Sequence, residues 1–393
     1  MSRLRGFDGM RALACIAVLV HHLVQRLQSH DPVVLGLHAG ELGVSLFFVL
    51  SGGLLAYPFW RAHLHQQALP RLSDYALRRA ARIVPAYYLV LLCSFALNYW
   101  LAPHDYAWSR LLTGLTFTAP YHYVSFFSTD FNGPLWSIGL EVSCYALLPL
   151  LLWPLLRSRW HGLASAVLWG VGLILLMQLL HALALQWFMT DTEGKGWQYG
   201  MIGGAKQWLP YWNVAGFMGQ FLCGGLAAAL IAGLEKRRQQ AHWGFDLLAL
   251  ACFSAIVWAS QQWLISGAPN PLTGQPYLAP LAALLFAAIL LGLHFSVLGH
   301  RLVDNRLFRH IATLSFGIYL WHYLLIEVIR ELWVPQYHYM GIQDVALWWQ
   351  LSAIVVVLSW TLAAFSFYLF EQPILERAKR WKARSPLALA STI

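Results

Sequence analysis

The sequence predicts an all-α polytopic membrane protein of about ten transmembrane helices with both termini in the cytoplasm. Three observations carry that prediction. Apolar residues make up 59% of the 393-residue chain and charged residues 11%, against about 25% charged in a soluble domain. Ten apolar segments of about 20 residues recur along it. The positive charge between them falls on alternate connections.

The spans are expected near 9–28, 39–60, 82–102, 134–156, 162–187, 211–234, 244–265, 277–297, 308–330 and 347–370. The first follows Arg3 and Arg5 as a signal peptide would, but Leu27-Gln28-Ser29-His30 offers no small-residue cleavage site, so it reads as a retained helix. One side of the membrane receives Arg3 and Arg5, then Arg61, Arg71, Arg78, Arg79 and Arg82, then Arg157 and Arg159. The same side takes Lys236, Arg237 and Arg238, then Arg301, Arg306 and Arg309, and finally Arg377, Lys379, Arg380, Lys382 and Arg384. The other side and the outer helix ends hold Arg26, Arg110, Lys195, Lys206 and Arg330, with Arg11 embedded in the first span. Positive charge favours the cytoplasmic side, and an even number of spans then returns both termini there.

The net charge of +9 is accounted for by this bias and calls for no nucleic-acid partner. The longest outer connections, near 103–133 and 188–210, carry Tyr121-His122-Tyr123 and Trp197-Gln198-Tyr199, residues suited to the lipid–water interface. No internal repeat supports an inverted-repeat transporter. Cys15, Cys93, Cys144, Cys223 and Cys252 lie far apart inside apolar runs and read as small buried hydrophobes, with no disulfide framework and no metal site expected. Residues 1–375 form one transmembrane domain in this reading, surrounded by membrane lipids, and 376–393 a basic cytoplasmic tail.

Ionisable residues inside spans are costly and mark functional candidates. Arg11 and His22 lie eleven positions apart, which returns to within roughly 20° of the same helix face about 16 Å further along. By topology His22, Glu141 on the fourth span and His322 on the ninth reach similar depths, roughly 9–12 Å below the outer helix ends. A shared polar cavity is the economical expectation. His22 suits general-base work near neutral pH, with Glu141 as a carboxylate that orients it. Neighbouring His21 points about 100° away and reads as structural. Arg11 suits either a phosphate-rich ligand or the inner headgroups, and Arg78, Arg79 and Arg82 leave the same two choices. His322 suits either the site or an ordinary helix contact. Ser51 is a candidate hydrogen-bonding residue in the cavity, without the chain order or spacing of a Ser-His-carboxylate nucleophile.

These residues sit in an ordered set of motifs. They begin with Asp8-Gly9-Met10-Arg11-Ala12 and continue with Gly43-Val44-Ser45-Leu46-Phe47-Phe48-Val49-Leu50-Ser51-Gly52 and Arg78-Arg79-Ala80-Ala81-Arg82-Ile83-Val84-Pro85. Leu135-Trp136-Ser137-Ile138-Gly139-Leu140-Glu141 with Tyr145 follows, then Ser315-Phe316-Gly317-Ile318-Tyr319-Leu320-Trp321-His322 and Glu371-Gln372-Pro373. Together they resemble the integral-membrane acyltransferase-3 family, whose members O-acylate surface carbohydrates and related molecules. The match includes the family's Arg, ten residues, then His, as Arg11 to His22. Ser45 stands where the family often has Asp, and Gln372 where a basic residue is usual.

The resemblance implies an O-acyltransferase of the bacterial inner membrane, working without a metal. It implies acetyl-CoA, or another acyl-CoA, as donor from the cytoplasm, held by Arg11, Arg78, Arg79, Arg82 and Ser51. It implies His22 as base, with Glu141 and His322 in the catalytic set, and a hydroxyl of an envelope glycan or related molecule as acceptor. Direct transfer and a brief acyl-His22 relay both fit. Some relatives carry a soluble domain after the membrane region, whereas this chain ends about 20 residues beyond the last span. Further processing is therefore expected to need separate envelope-biosynthesis proteins. The rival class is a proton-coupled transporter or lipid-linked glycan exporter.

Overall fold

The computed structural model describes residues 4–103, 105–188, 209, 211–266, 280–337 and 341–384. Among the described residues the chain is all-α apart from one isolated parallel bridge between Leu27 and Ile342. Fourteen helices lie among the described residues: α1 Phe7–Val24, α2 Pro32–Leu37, α3 Leu42–Leu64, α4 Leu72–Leu101, α5 Ala107–Leu115, α6 Trp136–Leu156 and α7 Leu163–Phe188, then α8 Val214–Lys236, α9 Trp243–Ser266, α10 Pro280–Phe295, α11 Gly299–Val303, α12 Arg306–Trp333, α13 Val345–Ser366 and α14 Gln372–Arg384.

Every one of the ten apolar segments contains a helix. Nine among the described residues are long and apolar enough to cross a membrane, and α10 is the shorter apolar helix. This is a polytopic membrane protein. Exposed Leu150, Leu168, Leu175, Leu247, Leu250 and Val357 give the outer helices the apolar surface that lipid requires. Arg3, Lys195, Lys206, Trp197-Gln198-Tyr199 and residues 385–393 lie outside the described residues.

Two boundaries differ from the hydropathy reading in ways that matter for the site. The third span begins at Leu72, ten residues before the expected start at 82, so Arg78, Arg79 and Arg82 sit within the helix. A hydropathy window discards a helix start rich in arginine, although the backbone there is helical because the arginines turn to one polar face. The last span does not stop near 370. A π-helical turn, Phe367–Glu371, joins α13 to α14, which runs through the expected boundary at 375/376. Such turns distort the ladder and re-aim side chains; this one carries Glu371.

The start of α1 is fixed from the far end of the sequence. The buried Asp304 carboxylate accepts hydrogen bonds from the Gly6 and Gly9 backbone N–H groups at 2.8 and 3.0 Å. A carboxylate at a helix N-terminus satisfies orphan donors and opposes the helix dipole. The start of α12 is capped by Asn305, whose Oδ1 accepts from Phe308 N–H at 2.9 Å. These two helices carry Arg11, His22 and His322.

The centre of the bundle is set by the pairing of α3 with α8, where two glycines let the backbones meet. A Cβ at Gly52 would lie 1.8 Å from the Phe221 carbonyl oxygen, and one at Gly224 would lie 1.8 Å from that of Val49. Small residues permit this close approach between membrane helices. Gly52→Ala is expected to cost at least the upper end of the roughly 1–3 kcal/mol of ordinary overpacking, because the obstacle is backbone. Heating detergent-solubilised protein and scoring the monodisperse fraction checks this. Gly172→Ala, on α7 with open space around it, is expected to match the parent.

Candidate active site

A cavity of about 660 Å³ opens among α1, α3, α4, α6, α12 and α14. It is within the usual size range of small-molecule sites. Arg11, Arg78, Arg79 and Arg82 line it together with Ser51 and Glu141, so six residues singled out in the sequence reach one space from four helices. The α4 arginines follow an i, i+1, i+4 spacing, which keeps them near one helix face. Apolar walls come from Phe47, Phe48 and Ile138. Four guanidiniums against the carboxylates of Asp74 and Glu141 make this lining suited to an anion, and guanidinium geometry matches phosphate oxygens in pairs.

Hydroxyls hold Glu141. Ser51 Oγ donates to its Oε1 at 2.7 Å, and Tyr145, one turn on along α6, donates its phenolic hydroxyl to the same oxygen in a short contact. Tyr145 is itself anchored where Tyr75 donates to its backbone carbonyl at 2.9 Å. Arg82 pairs with buried Glu371 at 3.0 Å and lies over the Phe316 and Phe367 rings at 5.6 and 5.7 Å. The π-helical turn thus delivers the carboxylate that fixes Arg82.

His22 and His322 form a separate cluster beyond Tyr319. His22 Nδ1 lies 3.0 Å from His322 Nε2, and His322 Nδ1 lies 3.1 Å from the Ile318 carbonyl oxygen. The bonding assigns the tautomers of the neutral rings. A carbonyl oxygen only accepts, so His322 Nδ1 carries a proton and its Nε2 offers a lone pair. His22 Nδ1–H donates to that lone pair, which leaves His22 Nε2 as the unprotonated, basic nitrogen. The ring also packs edge-on against Tyr323 at 5.0 Å.

The two clusters meet through one side chain. Tyr319 lines the cavity, lies 5.8 Å from the His322 ring, and has its hydroxyl engaged by Ser137 at 2.7 Å and by the Pro134 carbonyl at 3.1 Å. Phe47 stands against its other side at 5.9 Å. For the support of His22 by Glu141, to which both a direct contact and one through water were open, no direct hydrogen bond is among those described. Glu141 faces the arginine cavity and His22 faces His322.

Comparison with known proteins is decisive here. The family described as an acyltransferase domain matches residues 4–364, nearly the whole chain. The protein belongs to the acyltransferase-3 family. Its similarity to curated members runs the same length. The O-acetyltransferase OatA of Staphylococcus aureus is 26% identical over 399 aligned positions, covering 97% of this chain and 58% of that protein. The peptidoglycan O-acetyltransferase OatA of Listeria monocytogenes is 25% identical over 389 positions, covering 93% of this chain and 55% of that one. The chain thus spans less than three-fifths of the length of these relatives. No solved structure matches it.

Some residues around this acyltransferase-3 site had no role assigned from the sequence. Glu371 appeared only as part of a motif, and its pairing with Arg82 joins residues 289 positions apart. Arg26, Tyr323 and Glu327 were also passed over. A carboxylate within the ninth span, and Arg26 one turn beyond His22, were the available signals.

Proposed function

We propose that this chain is a membrane O-acyltransferase that moves an acyl group, acetyl in the first instance, from acyl-CoA to a hydroxyl of an envelope glycan. The observation that carries the reading is the arginine-lined cavity abutting, through Tyr319, a histidine pair with a defined proton direction. The positive-inside bias supports cytoplasmic termini, with the donor entering from the Arg11 end, and the bacterial relatives support a bacterial inner-membrane setting. Similarity to the peptidoglycan O-acetyltransferase of Listeria supports a glycan acceptor and an acetyl group.

In this mechanism the CoA phosphates pair with Arg11, Arg78 and Arg79, while Arg82 is held ready by Glu371. Ser51 and Glu141 orient the donor's polar arm. The thioester extends past Tyr319 towards His22, a reach compatible with the roughly 16 Å between Arg11 and His22 along α1. His22 Nε2 takes the proton of the acceptor hydroxyl as its oxygen attacks the thioester carbonyl. The tetrahedral intermediate collapses with cleavage of the C–S bond. The sulfur leaves with the proton held by His22, giving CoA thiol and an ester and restoring the neutral ring. His322 acts as a positioning residue that keeps Nε2 the basic nitrogen.

His322→Ala is expected to lower kcat by about 10- to 100-fold with KM for acyl-CoA little changed, because the base loses orientation and the donor cavity does not. A steady-state thiol-release assay separates the two constants. The proposal itself is tested by following free CoA thiol in sealed vesicles supplied with acetyl-CoA and the native glycan fraction. Thiol release that scales with protein and requires the glycan is expected. Glycan movement across the membrane without thiol release favours the transporter reading.

A further inference from the structure

A second, smaller pocket lies at the other end of α1 from Arg11. It occupies about 170 Å³ between the C-terminal halves of α1 and α12 and the N-terminal half of α13. Arg26, Arg330, Gln25, Tyr337 and Ser352 supply its polar lining, and Trp348 supplies an aromatic wall. Nothing in the donor chemistry uses it.

The charge arrangement behind this pocket is unusual for a membrane interior. Glu327 is buried and takes two arginines, Arg26 on one carboxylate oxygen and Arg330 at 2.6 Å on the other. Within this triad two guanidiniums share one carboxylate. That leaves one positive charge in excess beside the pocket. The Nε atoms are closed off, and the exposed part of each arginine, 27% and 16% of the side chain, lies on its other atoms. Both arginines line the same pocket.

Its position relative to the base is also defined. Arg26 lies four residues after His22, in the turn that follows the end of α1 at Val24. Tyr323 bridges the two: its ring packs on His22, and its hydroxyl accepts from Arg26 Nη2 at 3.0 Å. The pocket and the basic nitrogen therefore belong to one neighbourhood, on the side away from the donor arginines.

We propose that this pocket binds a carboxylate or phosphate carried by the acyl acceptor, so that the acceptor is an anionic glycan rather than a neutral one. The inference rests on the acyltransferase reading above. The anion balances the excess positive charge of the Arg26–Glu327–Arg330 triad, Gln25, Tyr337 and Ser352 meet neighbouring hydroxyls, and Trp348 covers an apolar sugar face. The acylated hydroxyl then lies within about one helical turn of the anionic group.

The test uses the full chain in phosphatidylcholine nanodiscs and reads the thermal midpoint, because a ligand that binds only the folded state raises it. Glucuronate and glucose 6-phosphate are expected to raise the midpoint, and glucose, which lacks the anion, is not. Arg330→Gln and Ser352→Leu are each expected to need at least tenfold more glucuronate, while their response to CoA matches the parent. The leucine variant fills the pocket without removing a charge, and it decides alone if Arg330→Gln has lost its CoA response. Equal responses to glucose and glucuronate, or an unchanged glucuronate response in the variants, overturn the proposal. Loss of the glucuronate response on adding phosphatidylglycerol overturns it too, by assigning the pocket to a lipid headgroup. Failure of CoA to shift the parent protein counts against the donor reading alone, since the glucuronate arm is scored separately.

Discussion

His22→Ala is expected to lower acyl transfer by about 10²–10⁴-fold, the usual contribution of a positioned general acid–base. The loss should fall on kcat, with binding of CoA retained, because His22 lies beyond Tyr319 and does not line the arginine cavity. His22→Asn is the sharper version. Its amide nitrogen stands where His22 Nδ1 does and can still donate to His322 Nε2, so the local hydrogen bond survives while the basic Nε2 is gone. Equal losses in both variants assign the effect to the base, and recovery in the asparagine variant assigns it to packing. Rates at matched protein abundance, with CoA affinity measured alongside, make the comparison.

Arg11→Ala is expected to act on the other term, lowering kcat/KM for acyl-CoA by roughly 30- to 1,000-fold. That range corresponds to about 2–4 kcal/mol, in line with removing one partner of a buried, hydrogen-bonded charge pair. Arg11 shares the cavity with Glu141, so its loss also leaves that carboxylate with less compensating charge. Arg11→Lys should recover part of the effect, since it returns the charge without the planar fork. A profile in which kcat falls while KM for acyl-CoA stays fixed would place Arg11 outside the donor site.

The helices were legible because hydropathy and charge report them directly. The ten apolar segments all proved helical, and the first-span pair Arg11 and His22 lies on a continuous α1. The depths estimated for Glu141 and His22 give only one coordinate. A helix at a given height can face any direction, and α6 turns Glu141 toward Ser51 on α3 while α1 turns His22 toward α12. The pairs that decide direction join residues far apart in sequence, 90 positions for Ser51 with Glu141, 300 for His22 with His322 and 289 for Arg82 with Glu371. No local pattern encodes such registers.

The arginine set shows the opposite case. Arg78, Arg79 and Arg82 offered two readings from the sequence, as headgroup contacts or as donor contacts. Their common wall with Arg11 supports the second, because headgroup contact alone would not require them to converge on one cavity. The π-helical turn at Phe367–Glu371 was hidden for a different reason. It interrupts an apolar run whose hydropathy is that of a single span, so only the backbone reveals it.

The central claim is that the acyl group passes from CoA to a hydroxyl by way of His22 as base. The most direct measurement is transfer of label from radiolabelled acetyl-CoA into the native membrane glycan fraction in sealed vesicles, with wild-type protein and His22→Ala at matched abundance. Label that depends on the wild-type protein and is lost in the variant is the predicted result. Label retained in the variant, or none with either protein when donor and glycan are both supplied, contradicts the account.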